Sequence, residues 1–348
     1  MSLILVGDIV YPFKESVAFN SIIDLFKNNV AVGNLEGPIL LNPSGSQVYD
    51  AHKYNIYSCT AILEVLNELN FRSVSIANNH FCDFKGVSQY TLDSLTNNGI
   101  AYFGHKKDKW SVVEDHGVEY AIYGAYTSIT GGNRAKECLS NSFNSKGIIQ
   151  EINNYSSRYP HRILIIYIHW GYELADYPQP ADREWARKAI DAGAKAVIGH
   201  HPHVIQGIEQ YKEGLIAYSL GNFMMPLVNY LGKQLAYNTL KIQQEMIIEL
   251  TYHNHLEYKT HLINYDPDKH FLQQEDVDSE RILEELTPFR DYSNKEYREW
   301  FQAQNKPSRY PTYQSYDNIL RTGINNFYVK GLKTVRKAMI MAGIHKPF

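Results

Sequence analysis

The segment Gly199-His200-His201-Pro202-His203 places three imidazoles within five residues, directly after the apolar run 196–198. Neutral imidazole is the commonest side-chain ligand for a metal ion, and the end of a buried strand fixes where it points. Histidines in a polar loop facing water are the ordinary alternative. What shifts the balance is that the same design recurs elsewhere in the chain.

Five further segments end an apolar run in polar residues: Val6-Gly7-Asp8; Val32-Gly33-Asn34-Leu35-Glu36-Gly37; Ser75-Ile76-Ala77-Asn78-Asn79-His80 with Asp83 following; Ile166-Tyr167-Ile168-His169-Trp170-Gly171 with Glu173 beyond; and Tyr218-Ser219-Leu220-Gly221-Asn222-Phe223. In α/β sheets ligands gather at the carboxyl ends of strands, so such residues converge. Each has a plain structural explanation by itself: a turn carboxylate, a left-handed asparagine, a packed aromatic pair. Together they supply carboxylates, amide oxygens and imidazoles at matching places. That donor set suits a divalent transition metal better than calcium or magnesium, which prefer oxygen alone. A shared carboxylate can bridge two ions, and two ions can clamp both oxygens of an in-line displacement.

The elements that must hold these residues follow from hydrophobic period. Strands are expected over 3–6, 30–32, 73–76, 119–125, 163–168, 196–198, 215–218 and 246–252, with 257–265 pairing antiparallel near the end. Helices are expected over 17–28, 59–69, 86–98, 145–158 and 182–192, with short ones over 280–286 and 297–304. This alternation gives a layered α/β fold. The Gly-, Ser- and Asn-rich stretch 127–144 reads as a long loop that covers a site. Beyond about residue 266 prolines scatter, which divides a core of 1–270 from a C-terminal extension of 271–348.

The chain has 348 residues and a formal net charge of −3, so no global field calls for nucleic acid and none is expected as a partner. Three cysteines without a CxxC pair point to a reducing compartment. The apolar run 3–6 is too short for a secretory signal, and no stretch reaches a membrane span. The expected location is the cytoplasm, peripheral to a membrane at most.

The segments Gly33-Asn34-Leu35-Glu36-Gly37-Pro38, Ala77-Asn78-Asn79-His80 with Asp83, His169-Trp170-Gly171 with Glu173, Gly199-His200-His201-Pro202-His203 and Ser219-Leu220-Gly221-Asn222-Phe223 resemble the CapA family. These are bacterial capsule-synthesis proteins of the poly-γ-glutamate type, within the calcineurin-like metallophosphoesterase superfamily. The motifs run in the family's order over roughly residues 3–225. The resemblance implies an α/β (α+β) fold: a four-layer αββα metallophosphoesterase-like sandwich, here with a mostly helical C-terminal extension.

It also implies a site. Asp8 would bind one metal, Glu36 stands at the bridging carboxylate, Asn79 and His169 would hold the second ion, and His201 and His203 match the His-x-His pair. His80 matches the histidine that protonates a leaving group, with Asp83 orienting it. Asn34, Asn78, Glu173, His200 and Asn222 would support the ligands or line the site. One or two divalent transition ions (Mn, Fe or Zn) are implied, acting in a metal-dependent hydrolase on a phosphoester or an acidic surface polymer. The superfamily's usual histidine two residues after the first aspartate is replaced by Val10, which weakens one metal position; His200 or His52 are the candidates to complete it. Val10 also supports the rival reading, a non-catalytic capsule-assembly protein that keeps the fold and at most one metal.

From Asn318 onward the chain carries no acidic residue and several basic ones. Val329, Leu332, Val335, Met339 and Ala342 fall near one helical face, with Lys330, Lys333 and Lys337 elsewhere. Docking of that face on the core is the structural reading. Attachment to an anionic membrane surface or an acidic partner is the functional one.

Overall fold

A computed structural model describes residues 2–15, 17–19, 22–49, 54–127, 138–226, 229–230, 233–234, 240–304 and 310–344. Period-two alternation sorts its strand residues into layers. In the first strand, Leu3–Ile9, the side chains of Leu3 and Leu5 enter one apolar cluster while Ile4 and Val6 enter another. In the strand Ile163–His169, Ile163, Ile165 and Tyr167 join the cluster of Leu3 and Leu5, and Leu164, Ile166 and Ile168 face the opposite way. Strands buried on both faces must lie between two covering layers.

Two sheets result. The first runs Ala18–Phe19, Phe271–Gln274, Leu256–Asp266, Gln244–Tyr252, Leu3–Ile9, Val30–Leu35, Phe71–Ser75, Ala101–Phe103, with Asn222–Met224 also pairing with the first strand. The second runs Ile208–Tyr211, Gly214–Ala217, Ala196–His200, Ile163–His169, Val118–Tyr126, Trp110–Asp115. The sheets pack face to face through Leu5, Val32 and Phe103 against Ile122, Ile165 and Ile198. The helices Ile62–Glu68 and Ser88–Asn97 cover the outer face of the first sheet. Ser145–Arg158, Pro180–Asp191 and Asn294–Gln304 cover the second. The architecture is therefore the four-layer αββα sandwich expected, with a C-terminal helix beyond it.

Some elements differ from expectation. Residues 17–28 do not form one helix. Phe19 pairs with Leu272 at the edge of the first sheet, and a single turn, Ile23–Phe26, follows. Edge pairing overrides the helical spacing there, because Phe271–Gln274 offers Ala18 and Phe19 backbone partners. The strands Ala101–Phe103, Trp110–Asp115, Ile208–Tyr211, Asn222–Met224 and Phe271–Gln274 are additional to those expected. The strands Gln244–Tyr252 and Leu256–Asp266 do pair antiparallel. Of the long loop 127–144, residues 128–137 lie outside the described residues. Asn141 and Phe143 exchange backbone bonds with Tyr126, and Asn144 caps the following helix by accepting from Gly147 N at 3.1 Å.

The segment after residue 286 is bound to the second sheet by a buried charge network. Arg183, fully buried, donates to Glu209 at 2.9 Å and to the carbonyls of Phe289 and Tyr292 at 3.3 and 2.7 Å. Arg187 and the Tyr218 hydroxyl also reach Glu209, and the Arg183 guanidinium lies 4.8 Å from the Tyr297 ring centroid. Nearby, the hydroxyl of Tyr316 donates to Asp182 Oδ1 at 2.5 Å and Gln179 N donates to Oδ2 at 3.2 Å. Burial lifts the Asp182 carboxyl to about 7, against the pull of those two bonds.

An acid whose pKa rises on folding holds its proton more tightly in the native state. Stability from Asp182 therefore falls as pH climbs from the ordinary carboxyl value of 3.8 to about 7, and is flat beyond. Urea unfolding of wild type and Asp182→Asn across that window should show the wild type losing stability relative to the variant. Parallel pH profiles would show that Asp182 ionises without penalty.

Candidate metal centre

The site forms where the carboxyl ends of strands from both sheets meet. The first sheet brings Asp8 on Leu3–Ile9, Asn34 and Glu36 at the end of Val30–Leu35, and Asn78, Asn79 and His80 after Phe71–Ser75. The second brings His169 at the end of Ile163–His169, and His201 and His203 after Ala196–His200. Register places Asp8 beside Asn34 on one side and Asn222 on the other, and His169 beside His200.

Glycines permit this convergence. A Cβ on Gly7 would lie 2.2 Å from the Gly221 carbonyl oxygen, and one on Gly199 would lie 1.9 Å from that of Tyr218. Any side chain there would push apart the backbones that carry Asp8 and the histidine cluster. His201 and His203 themselves take positive φ, +94° and +58°. Non-glycine residues held there cost about 1–3 kcal/mol each, and such strain gathers at functional sites.

Asp8, Glu36, Asn79, His80, His169, His201 and His203 are all buried. Asp8 Oδ1 accepts from Asn34 Nδ2 at 2.6 Å, and Oδ2 accepts from His201 N at 3.1 Å. His203 Nδ1 stands 3.4 Å from Asp8 Oδ2 and 3.8 Å from Glu36 Oε2. His169 Nε2 is 2.6 Å from Asn79 Oδ1 and 3.6 Å from Glu36 Oε1, and its Nδ1 faces Asp8 Oδ1 at 3.9 Å. Ligand atoms of Glu36, His201 and His203 all lie within 4.8 Å of one another.

Hydrogen bonding settles the ring tautomers. Asn222 Nδ2 donates to the carbonyls of His203 and Ile242 at 3.3 and 2.7 Å, so its Oδ1 faces His203 Nδ1 at 2.9 Å. That nitrogen carries the proton in the neutral ring, which puts the acceptor lone pair on Nε2. His80 Nδ1 donates to Asp83 Oδ2 at 2.6 Å, a carboxylate oxygen that also accepts from Ile56 N at 3.2 Å. His80 Nε2 then points inward, 3.9 Å from Glu36 Oε1. His169 donates through Nε2 to Asn79, which leaves Nδ1 as a buried acceptor without a hydrogen bond.

The electrostatics favour a cation. Burial raises the Asp8 carboxyl above its ordinary value, although His203, Asn34 and the His201 backbone pull it down. Burial, with the imidazoles of His201, His203, His200 and His80, holds His169 well below the usual imidazole range. Asp8 and Glu36 are both buried here. A divalent ion would offset the cost of burying their charge, and the mixed oxygen and nitrogen donors fit a transition metal.

The remaining candidates fall in different places. Asn34 and Asn78 brace the site: Asn78 Nδ2 donates to Asn34 Oδ1 at 3.2 Å, and its Oδ1 accepts from the backbone of Gly37 and of His80, each at 3.2 Å. His200 turns into the layer between the sheets, stacked on Tyr167 with centroids 4.6 Å apart, and burial lowers it to about 3. Neither of its ring nitrogens is hydrogen-bonded. Glu173 is exposed on the turn after Gly171. Val10 is packed in a small apolar cluster with Ile56, Met225 and Tyr54. His52 lies outside the described residues.

One buried carboxylate was not anticipated. Glu245, fully buried in the strand Gln244–Tyr252, accepts from Gly7 N at 2.9 Å, and its Oε2 has no hydrogen bond. Burial, with the Asp8 charge adding to it, raises this carboxyl well above its ordinary value. A glutamate beside the apolar run Met246–Ile248 was the available signal.

The segments that build this site fall within a stretch matched by sequence comparison. The profile of the bacterial capsule synthesis protein family PGA_cap matches residues 4–226, and the chain belongs to that family. The capsule biosynthesis protein CapA of Bacillus anthracis is 29% identical over 233 residues, covering 63% of this chain and 56% of that one. The PGA biosynthesis protein CapA of Bacillus subtilis (strain 168) is 30% identical over 211 residues, covering 57% of this chain and 53% of that one. The chain thus spans little more than half the length of these relatives. Among solved structures, a putative 5'-nucleotidase from Staphylococcus aureus, in complex with alpha-ketoglutarate, aligns at 12% identity with a TM-score of 0.45, over 84% of this chain and 59% of that one.

Because Asn222 fixes the His203 ring, Asn222→Ala should weaken Mn²⁺ or Zn²⁺ binding by about 10–100-fold, the usual effect of losing such a support. Calorimetric titration measures it, with circular dichroism as the control for folding. Unchanged affinity in a folded variant would place His203 outside the metal's shell.

Proposed function

We propose that the chain is a metal-dependent hydrolase of the metallophosphoesterase type, acting in capsule or surface-polymer biosynthesis on a phosphoester or an acidic, poly-γ-glutamate-like or polysaccharide chain. The observation that carries this reading is the pairing of a buried donor set, Asp8, Glu36, Asn79, His169, His201 and His203, with the His80–Asp83 dyad aimed into it. In this reading residues 1–270 form the hydrolase domain and 271–348 an extension.

One or two ions of Mn, Fe or Zn would polarise the attacked group and lower the pKa of water at the site. The protein's own residues do the rest. Glu36 lies between the two groups of donors and can be shared. Asn34 and the His201 backbone orient the Asp8 carboxylate, and Asn222 orients His203. Asp83 holds His80 with its proton on Nδ1. In the imidazolium form, which the Asp83 carboxylate would stabilise, His80 would give its Nε2 proton to the departing oxygen or nitrogen and be left neutral with the proton on Nδ1. Burial of the whole set keeps bulk water from screening these charges.

A second reading has one observation in its favour. The Val10 position is filled by apolar contacts, which leaves Asp8 without the additional imidazole implied by the superfamily pattern. A non-catalytic assembly protein that keeps the fold and at most one ion would tolerate that.

Turnover of a phosphodiester probe and of poly-γ-glutamate, each with added Mn²⁺, separates the readings. The wild type should turn over at least one. His80→Asn should lower kcat by about 10²–10⁴-fold, the usual worth of a general acid, with metal content unchanged by elemental analysis. A metal-loaded wild type inert on both substrates would favour the assembly protein.

A further inference from the structure

The C-terminal helix Ile319–Met341 is amphipathic in the inverse sense. A helix docked on a globular core ordinarily buries its apolar stripe and shows water its polar one. Here polar residues face the protein. Asn326 accepts from the Tyr313 hydroxyl at 2.6 Å, Asn325 donates to the Thr312 carbonyl at 3.3 Å, and Thr322 donates to that of Ser315 at 3.2 Å. Val329 is buried among them, and Leu332 and Met339 are half-buried on the same side. The face expected to dock thus does so in part, but Val335 points outward.

The outward face carries Leu320, Ile324 and Phe327, exposed by 77%, 59% and 80%, followed by Tyr328, Val335 and Met341. The spacing i, i+4, i+7 puts the first three in one row. Arg321 and Lys330, both exposed, come from either flank of that row. The helix contains five Lys or Arg residues, Arg321, Lys330, Lys333, Arg336 and Lys337, and no Asp or Glu. The chain as a whole is acidic, at −3, so the acidic surplus lies entirely outside this helix.

We propose that this face lies on an anionic lipid surface, with Leu320, Ile324 and Phe327 set into the boundary between headgroups and acyl chains and Arg321 and Lys330 on the phosphates. Charge decides between occupants. A second copy packed helix to helix would bring two basic rims together, which repel. An anionic bilayer neutralises the rim while it accepts the apolar row. The helix lies on the surface rather than crossing it, because no helix among the described residues is long and apolar enough to span. The inference stands apart from the hydrolase reading, since nothing in it depends on turnover.

Co-sedimentation of the full chain with vesicles tests it. The protein should pellet with phosphatidylglycerol–phosphatidylcholine vesicles and far less with phosphatidylcholine alone, and added salt should weaken the binding. Ile324→Glu with Phe327→Glu, both exposed, should lower the apparent affinity by at least about tenfold, and so should Arg321→Glu with Lys330→Glu. Wild type left in the supernatant with anionic vesicles would overturn the proposal. So would equal pelleting of the Ile324→Glu, Phe327→Glu variant. A dimer seen by light scattering, lost in that variant and without vesicle binding, would assign the face to a second copy and overturn it as well.

Discussion

Two carboxylates buried in a dry seam, Asp8 and Glu36, set the terms for the rest of the molecule. An unpaired charge taken from water into a protein interior costs several kcal/mol even after relaxation. Both side chains are fully buried, and Asp8 is held upward in pKa by that burial. The fold meets Asp8 with donors from two sheets, an amide from Asn34 and a backbone N–H from His201, and brings His169 and His203 to 3.6 and 3.8 Å from Glu36. These contacts reduce the deficit but do not remove it, because burial pushes the His169 imidazole toward neutrality. A divalent cation is what the remaining imbalance calls for.

The local backbone follows from that requirement. Strand ends from separate sheets can approach only where side chains are missing, hence Gly7 against Gly221 and Gly199 against Tyr218. The His201–His203 turn must double back immediately after a strand to return two imidazoles to the same point, and it does so with both residues at positive φ. Strain in that turn is held by the packing beneath it, where His200 stacks on Tyr167 in the layer between the sheets. One histidine of the cluster thus belongs to the foundation, while the other two belong to the site.

Much of this was legible in the sequence, for a physical reason. A strand buried on both faces is nearly pure hydrocarbon, so a polar residue at its end stands out; Asp8, His169 and the 199–203 cluster were visible in that way. Period alone failed where the sheet's edge competed with helix, at Phe19, and where strands were too short to show alternation, at Ala101–Phe103 and Asn222–Met224. Glu245 was hidden because its partner, Gly7, lies 238 residues away and contributes only a backbone N–H. The binding of residues beyond 286 through Arg183 and Glu209 was hidden likewise, since its acceptors are main-chain carbonyls, which have no sequence signature.

The position of Val10 shows how far the charge argument reaches. Asp8 and Glu36 present their oxygens to two sides of the site. On the His169 side an amide oxygen, the Glu36 carboxylate and imidazole nitrogens are within reach of one another. Val10, two residues on from Asp8, packs instead with Ile56 and Met225. Hydrocarbon offers no lone pair, so that position lends nothing to coordination. An ion beside Asp8 would have to draw its ligands from His203 and from the two carboxylates that stand 3.4 and 3.8 Å from it, Asp8 and Glu36.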